Sequence, residues 1–176
     1  MTRSGMLVLA AALLLPGGVG AQKGPRCPVA RTGAVVVYGA GVPTTAFTAA
    51  DLATLPRQEA TTRRKDGREV TLVGVPLGVL LGKATGNDKD RLKGTTLLQY
   101  LVAEARDGYR VVVALPEADS SRGAARRAAV MVAFQADGAP LDSVAGPIQL
   151  VAPLDLEHGR WVRQLECIRV ARDAGS

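Results

Sequence analysis

The stretch Leu97–Leu115, LLQYLVAEARDGYRVVVAL, decides the fold class because it has the pattern of two β-strands joined by a tight turn. Apolar and β-branched residues dominate Leu97–Ala105 and Tyr109–Leu115, which flank the turn. Asp107-Gly108 between them is a strong hairpin signal, since these residue types tolerate the positive φ angles of such turns. The start of the first strand is ambiguous, because Leu97–Leu101 also fits one turn of helix.

Two more Asp-Gly pairs, Asp66-Gly67 and Asp137-Gly138, predict antiparallel hairpins on both sides of this one. The other predicted strands are short apolar or β-branched runs between turn signals: 34–38, 58–63, 69–73, 129–135, 148–152 and 161–170. The whole set amounts to about eight strands.

Short helices separate some of these strands. Thr48 and Asp51 have the spacing of a capping box, so they predict the start of a helix that ends at Pro56. Pro76 predicts the start of a second helix that runs to about Ala84. Residues 116–119 predict a turn or a third short helix. The fold class predicted is therefore α+β, with mixed, largely antiparallel sheets and two or three short helices.

The first 21 residues have the pattern of a secretory signal peptide. Arg3 supplies the positive charge, Met6–Leu15 is an unbroken apolar run, and Pro16-Gly17-Gly18 ends it. Small residues at Val19-Gly20-Ala21 predict cleavage after Ala21. The alternative is a membrane anchor, but a spanning helix needs roughly 20 apolar residues. We therefore expect a periplasmic or secreted protein with no membrane span after cleavage.

The mature chain has the size of one domain. We expect a flexible lead-in over 22–33, a single domain over 34–171 and a short tail over 172–176. Apolar residues make up 47% of the sequence and aromatic residues only 3%, so the core must consist mainly of Val, Leu, Ala and Ile.

The chain is basic, with 22 Lys and Arg against 16 Asp and Glu. Such a balance favours anionic ligands or acidic surfaces. The basic residues are scattered apart from Arg63-Arg64-Lys65 and a group at 122, 126 and 127, and no aromatic ladder accompanies them, which argues against nucleic-acid binding. Arg63 and Arg64 have two interpretations: a solvated strand edge that prevents aggregation, or an anion site.

The two cysteines, Cys27 and Cys167, stand at opposite ends of the predicted domain. In an oxidising compartment an even pair predicts a disulfide, which typically contributes ~2–5 kcal/mol to stability. The alternative is a pair of buried or free thiols.

His158 is the only histidine, and no nucleophile motif accompanies it. An exposed loop histidine is the simplest interpretation, although Glu157–Arg160 forms a tight loop of the kind that often carries a binding site. Tyr38–Pro43 has two glycines after a strand, but the helix of a dinucleotide-binding loop does not follow at once, so we expect a plain turn.

Several stretches occur in an order that resembles one known family, the oxidoreductase molybdopterin-binding domain with the sulfite oxidase fold. The resemblance covers roughly residues 34–170 and is carried by ADLATLP at 50–56, GVPLGVLL at 74–81, EARDGYRV at 104–111, ALPE at 114–117, DGAPL at 137–141, GPIQLVAP at 146–153 and RWVRQLECI at 160–168. It implies a mixed α+β domain that holds molybdopterin.

The resemblance also implies a cysteine thiolate on the molybdenum, and this chain departs from the family there. The equivalent interval, Arg57–Val73, contains no cysteine, and Arg63 or Arg64 stands near the expected position. A guanidinium group cannot ligate a metal, so molybdenum–thiolate ligation is not expected. Gln149 replaces an arginine of many family members, while Arg163 stands near a family lysine associated with the pterin.

Two hypotheses for function follow. The first is a non-catalytic binding or accessory module, in which His158, Arg160 and Arg163 lie near the rim of the cleft and hold an anionic small molecule or a protein partner. The second is an oxidoreductase that binds molybdopterin without a cysteine thiolate, with Arg160 and Arg163 at the pterin phosphate.

Overall fold

The computed structural model describes residues 27–64, 66–86, 98–118 and 129–172. Several sequence predictions lie outside these residues: the signal peptide over 1–21, most of the lead-in, Lys65, most of the loop before the 98–118 segment, the basic positions 122, 126 and 127, and nearly all of the tail.

The described chain forms two five-stranded sheets and three short helices, so the α+β prediction is confirmed. In chain order the strands and helices are β1 Ala34–Gly39, β2 Val42–Thr48, α1 Ala49–Ala53, β3 Gln58–Arg63, β4 Glu69–Pro76, α2 Leu77–Thr85, β5 Gln99–Ala105, β6 Arg110–Ala114, α3 Leu115–Ala118, β7 Met131–Ala136, β8 Ala139–Pro140, β9 Gln149–Val151 and β10 Leu165–Arg172. A 3₁₀ turn at His158–Arg160 lies between β9 and β10.

The first sheet has the order β2-β1-β10-β5-β6, with β10 at its centre. β10 pairs in parallel with β1 and antiparallel with β5. Gly39 permits this arrangement at one tight point, because a Cβ there would lie 2.1 Å from the carbonyl oxygen of Val170.

The second sheet has the order β3-β4-β7-β8, and β9 also pairs with β7. All of its pairings are antiparallel. Regular alternation along β4 places Leu72 in one apolar cluster and Val75 in another, and a bulge opposite Val73 and Gly74 leaves Phe134 of β7 without a partner in β4.

The main core lies between the sheets and includes residues of both. Val35 and Val37 of the first sheet and Val132 and Leu150 of the second belong to the same buried cluster. The far face of the second sheet carries a smaller apolar cluster with Leu72, which we call the outer cluster; its buried members are Ala60, Val70, Leu72, Met131, Ala133 and Val151.

All three predicted Asp-Gly turns are present, and each joins an antiparallel pair of strands. Gly67, Gly108 and Gly138 all have positive φ, as do Asp137 and the turn residue Gly41. These conformations explain why glycine is needed at the turns.

The sequence analysis missed β2, which is an edge strand beside β1. Pro43 hides its pattern, because proline removes a backbone donor and is tolerated in sheets mainly at edges. The capping box is confirmed: the Thr48 side chain accepts from the Asp51 N–H, and Asp51 Oδ2 accepts from the Thr48 N–H at 2.8 Å. None of the helices in the described segments has the length and apolar character needed to span a bilayer.

The structure joins Cys27 and Cys167 as a disulfide, with 6.0 Å between their Cα atoms and 140 positions between them in sequence. The bridge lies on the outer face of the first sheet beside Val36. Glu104 reinforces it, because its buried carboxylate accepts from the Cys27 N–H at 3.1 Å and pairs with Arg110 at 3.1 Å.

We expect the double variant Cys27→Ser/Cys167→Ser to lose about 2–5 kcal/mol of unfolding free energy, because opening the bridge restores conformational freedom to the unfolded chain. Urea unfolding measures the loss, and unreduced protein labelled under native conditions should show no reactive thiol. Labelling of both cysteines without denaturant would contradict the bridge.

Candidate functional site

The candidate site is a cleft of about 800 Å³. Its walls come from both sheets: the β3–β4 turn, the β5–β6 turn, the loop that follows β8, and the segment from Glu157 to Arg163 that precedes β10. Turns from separate hairpins therefore meet at one place that no single stretch of sequence encodes.

The floor of the cleft is apolar. Val70 and Leu72 of β4 line it and belong to the outer cluster. Ala136, Leu141 and Trp161 pack against the same cluster and also line the cleft. The face of the second sheet that does not contact the main core thus forms a surface that suits the apolar part of a ligand.

Two parallel rings form one wall of the cleft. His158 stacks on Trp161 with ring centroids 3.8 Å apart and an interplanar angle of 14°. Trp161 Nε1 donates to the carbonyl of Ala152 at 3.2 Å, and the Tyr109 hydroxyl donates to the carbonyl of Gly159. These bonds hold the middle of the 3₁₀ turn and the residue that follows it, and so keep a flat aromatic surface in place.

The loop after β8 is fixed by its own hydrogen bonds. The Asp142 carboxylate accepts from the N–H groups of Ala145 at 2.8 Å and Val144 at 3.0 Å. Gln164 Nε2 donates to the carbonyl of Ser143 at 2.8 Å, which ties this loop to the segment before β10. These hydrogen bonds therefore hold the loop in one conformation as part of the cleft wall.

Arg64 and Arg163 are the two guanidinium groups that line the cleft. Neither makes a hydrogen bond or a close ion pair within the described residues. Their charges act on Asp142 at longer range: the Ala145 N–H is the main cause that holds the pKa of this carboxyl below its usual value, and Arg64 and Arg163 add to it.

Carboxylates also line the cleft, so its charge is mixed. Asp66 accepts from the N–H of Arg68 at 3.0 Å, and Asp107 accepts from the N–H of Tyr109 at 2.9 Å, so both serve their own turns. Glu157 is exposed at the rim. The mixed charge therefore favours an acidic group of a ligand only beside Arg64 and Arg163.

Gln149 is the polar residue of the floor. It is only 4% exposed and lines the cleft, yet its carboxamide makes no hydrogen bond to any described residue. A buried amide without a partner costs about 1–3 kcal/mol, so an unsatisfied one in a native structure points to a role.

The five site residues predicted from sequence are divided by the structure. Arg64, His158 and Arg163 meet at the cleft, whereas Arg63 and Arg160 do not line it. Arg63 points to the other side of β3 and lies 3.6 Å from Glu69, with both side chains largely exposed. The solvated-edge interpretation therefore fits Arg63, and the anion-site interpretation fits Arg64.

Arg160 is held by two carboxylates outside the cleft. Its guanidinium lies 2.6 Å from Asp155 and 2.6 Å from Glu117, so it links the loop before the 3₁₀ turn to α3. The hydrogen bond from Arg160 also lowers the pKa of Asp155, while the pKa of Arg160 itself is raised. Three of its five N–H groups are used in these contacts outside the cleft, and the role at a ligand phosphate predicted for Arg160 stays a prediction.

The donor set does not fit the molybdenum centre that the sequence resemblance implies. That centre needs a thiolate, and both cysteines are joined to each other on the outer face of the first sheet. The described segments contain no group of three or more His, Cys, Asp or Glu side chains with the geometry of a metal site. The equivalent hairpin presents Arg64 instead, which has no lone pair to offer.

Sequence reasoning missed Tyr109 and Asp142 as parts of the site. Their signals were weak, because Tyr109 adjoins a turn and Asp142 lies in a loop of small residues. Gln149 had a stronger signal, since it is the one polar residue in the apolar run Ile148–Ala152.

We expect Asp155→Asn to lower the unfolding free energy by about 1 kcal/mol at pH 7, because Arg160 is partly exposed and the pair is screened. A lowered pKa stabilises the fold above the unfolded-state pKa, and this contribution is lost as pH falls through the folded-state pKa. Urea unfolding at pH 7 and below pH ~3.9 should show the difference shrinking in acid. Glu157→Gln in the same loop is the control, and an equal loss in both variants would contradict the role of the pair.

Comparisons with known proteins support the fold. No family model matches the chain, and no curated protein matches it by sequence. Among solved structures, it is similar to the sulfane dehydrogenase SoxCD from Paracoccus pantotrophus, with 22% identity and a TM-score of 0.58. The match covers 80% of this chain but only 38% of that one. At this identity the likeness shows that the chain shares a fold with part of that enzyme.

Proposed function

We propose that this chain is an exported, non-catalytic binding module that holds a small planar molecule with an acidic group. The observation that carries the proposal is the cleft itself, where an apolar floor and two stacked rings lie beside two guanidinium groups that have no close partner among the described residues. The sulfite oxidase-like ancestry inferred from sequence supports a ligand cleft at this position of the fold.

The proposed ligand has two parts, a flat ring and an acidic group. Its ring lies against the floor and the wall formed by His158 and Trp161, where apolar and aromatic burial favours a flat molecule. Its carboxylate or phosphate meets Arg64 and Arg163, whose donors have no partner in the described residues. The nearby carboxylates oppose anions elsewhere in the cleft and so orient the ligand.

The proposal that the chain is not catalytic rests on the states of its two cysteines and of His158. A thiolate for molybdenum is lacking because both cysteines form the bridge. His158 stacks on Trp161 and has no hydroxyl or thiol partner within the described residues, which contain no nucleophilic dyad at this histidine. Export is supported by the signal-like N-terminus and by the disulfide, which persists in oxidising compartments.

An oxidoreductase that keeps molybdopterin without a protein thiolate is the competing function, and the likeness to part of a dehydrogenase favours it. Metal and pterin analysis of protein from a cofactor-competent host separates the two. We expect no stoichiometric molybdenum, because the soft anionic ligand is missing. One molybdenum per chain would overturn the non-catalytic proposal.

Quinoline-6-carboxylate is a suitable probe for the cleft, since it combines a flat ring with one acidic group. Trp161 is the only tryptophan of the chain, so its fluorescence reports occupancy. We expect the probe to bind, and Arg163→Gln or Arg64→Gln to weaken binding roughly tenfold through loss of a charge-assisted contact.

Arg63→Gln is the matched control, because Arg63 is adjacent to Arg64 but does not line the cleft. We expect its affinity to equal that of the unmodified protein, as measured by calorimetry. Absence of binding, or equal weakening by all three variants, would contradict a cleft-based anion site.

A further inference from the structure

We propose that Gln149 determines the specificity of the cleft and selects ligands whose ring carries a lactam edge, an N–H beside a C=O. The inference rests on the proposed function, since it concerns the ligand of the same cleft. It adds a requirement that neither the arginines nor the stacked rings impose.

The position of Gln149 follows from the register of the second sheet. It pairs with Ala133 across β7, and directly opposed residues share a face. It also lies two residues before Val151, so alternation places both on one face. Ala133 and Val151 belong to the outer cluster. Leu150, which lies between Gln149 and Val151 in the strand, belongs to the main core. Gln149 therefore faces the floor of the cleft.

The amide has no protein partner there among the described residues, although it is more deeply buried than the glutamines that do have one. Gln58 Nε2 donates to the carbonyl of Ala129 at 3.2 Å, and Gln164 Nε2 donates to that of Ser143 at 2.8 Å. Gln149, although 4% exposed, makes no such bond. The most buried of these three amides is thus the one whose hydrogen-bonding capacity remains for a ligand.

The chemistry of a carboxamide defines the complementary group. Its NH₂ donates and its oxygen accepts, so a ligand edge with one acceptor beside one donor satisfies both atoms at once. A carboxylate accepts only and would leave the amide oxygen facing a negative charge. A plain aromatic edge would leave both amide atoms unsatisfied. A neutral lactam is therefore the edge that fits the apolar floor, while the acidic group remains with the arginines.

Two probes with the same bicyclic skeleton test this requirement: quinoline-6-carboxylate and 2-oxo-1,2-dihydroquinoline-6-carboxylate, which differ by the lactam. We expect the lactam probe to bind roughly tenfold to a hundredfold more tightly, because the quinoline nitrogen can accept from the amide NH₂ but offers no donor to the buried amide oxygen. In Gln149→Met the two affinities should become equal. Calorimetry of both probes gives the ratio.

Gln58→Met is the matched control. It removes a satisfied amide outside the cleft, so its urea midpoint should fall while the lactam preference remains. The urea midpoint of Gln149→Met should stay level or rise, because the variant removes an unsatisfied buried amide. Binding of both probes without a lactam preference would overturn this inference alone, as would a preference that survives in Gln149→Met. Failure of both probes to bind would overturn the proposed function as well.

Discussion

The position of β10 between β1 and β5 is the constraint on which the rest of this structure depends. Its parallel pairing with β1 brings the end of the described chain beside the beginning, and glycine at position 39 permits the close approach to Val170. The segment just before β10 then lies along the second sheet, through the bridge between Leu150 and Val162. Trp161 and Arg163 reach the cleft because of this pairing, so the site is a consequence of the sheet order.

The same arrangement keeps the disulfide apart from the side chains that line the cleft. The disulfide lies on the outer face of the first sheet. There the disulfide and the Glu104–Arg110 pair hold the N-terminal segment. Guanidinium and carboxamide groups lie in the cleft. The proposed recognition by stacking, charge and an amide therefore uses side chains that are separate from the bridge.

Much of the fold could be predicted from local pattern, and much of the site could not. The Asp-Gly turns and the capping box at Thr48 are encoded by a few adjacent residues, so sequence reasoning found them. The cleft unites turns from different hairpins, and Arg63 and Arg64 look equivalent in sequence although alternation places only Arg64 in it. Arg160 looked available because its partner Glu117 lies on α3, 43 positions earlier in the chain. The assembly of the cleft and the pairing of Arg160 thus depend on contacts between distant segments.

The bridge between Cys27 and Cys167 also makes the described chain a covalent ring. Every turn and loop that lines the cleft lies inside that ring, between the two cysteines. A single proteolytic cut in any of them would open the ring but leave both pieces attached. A nicked molecule in a protease-rich environment would thus keep its two sheets together, since neither fragment could diffuse away.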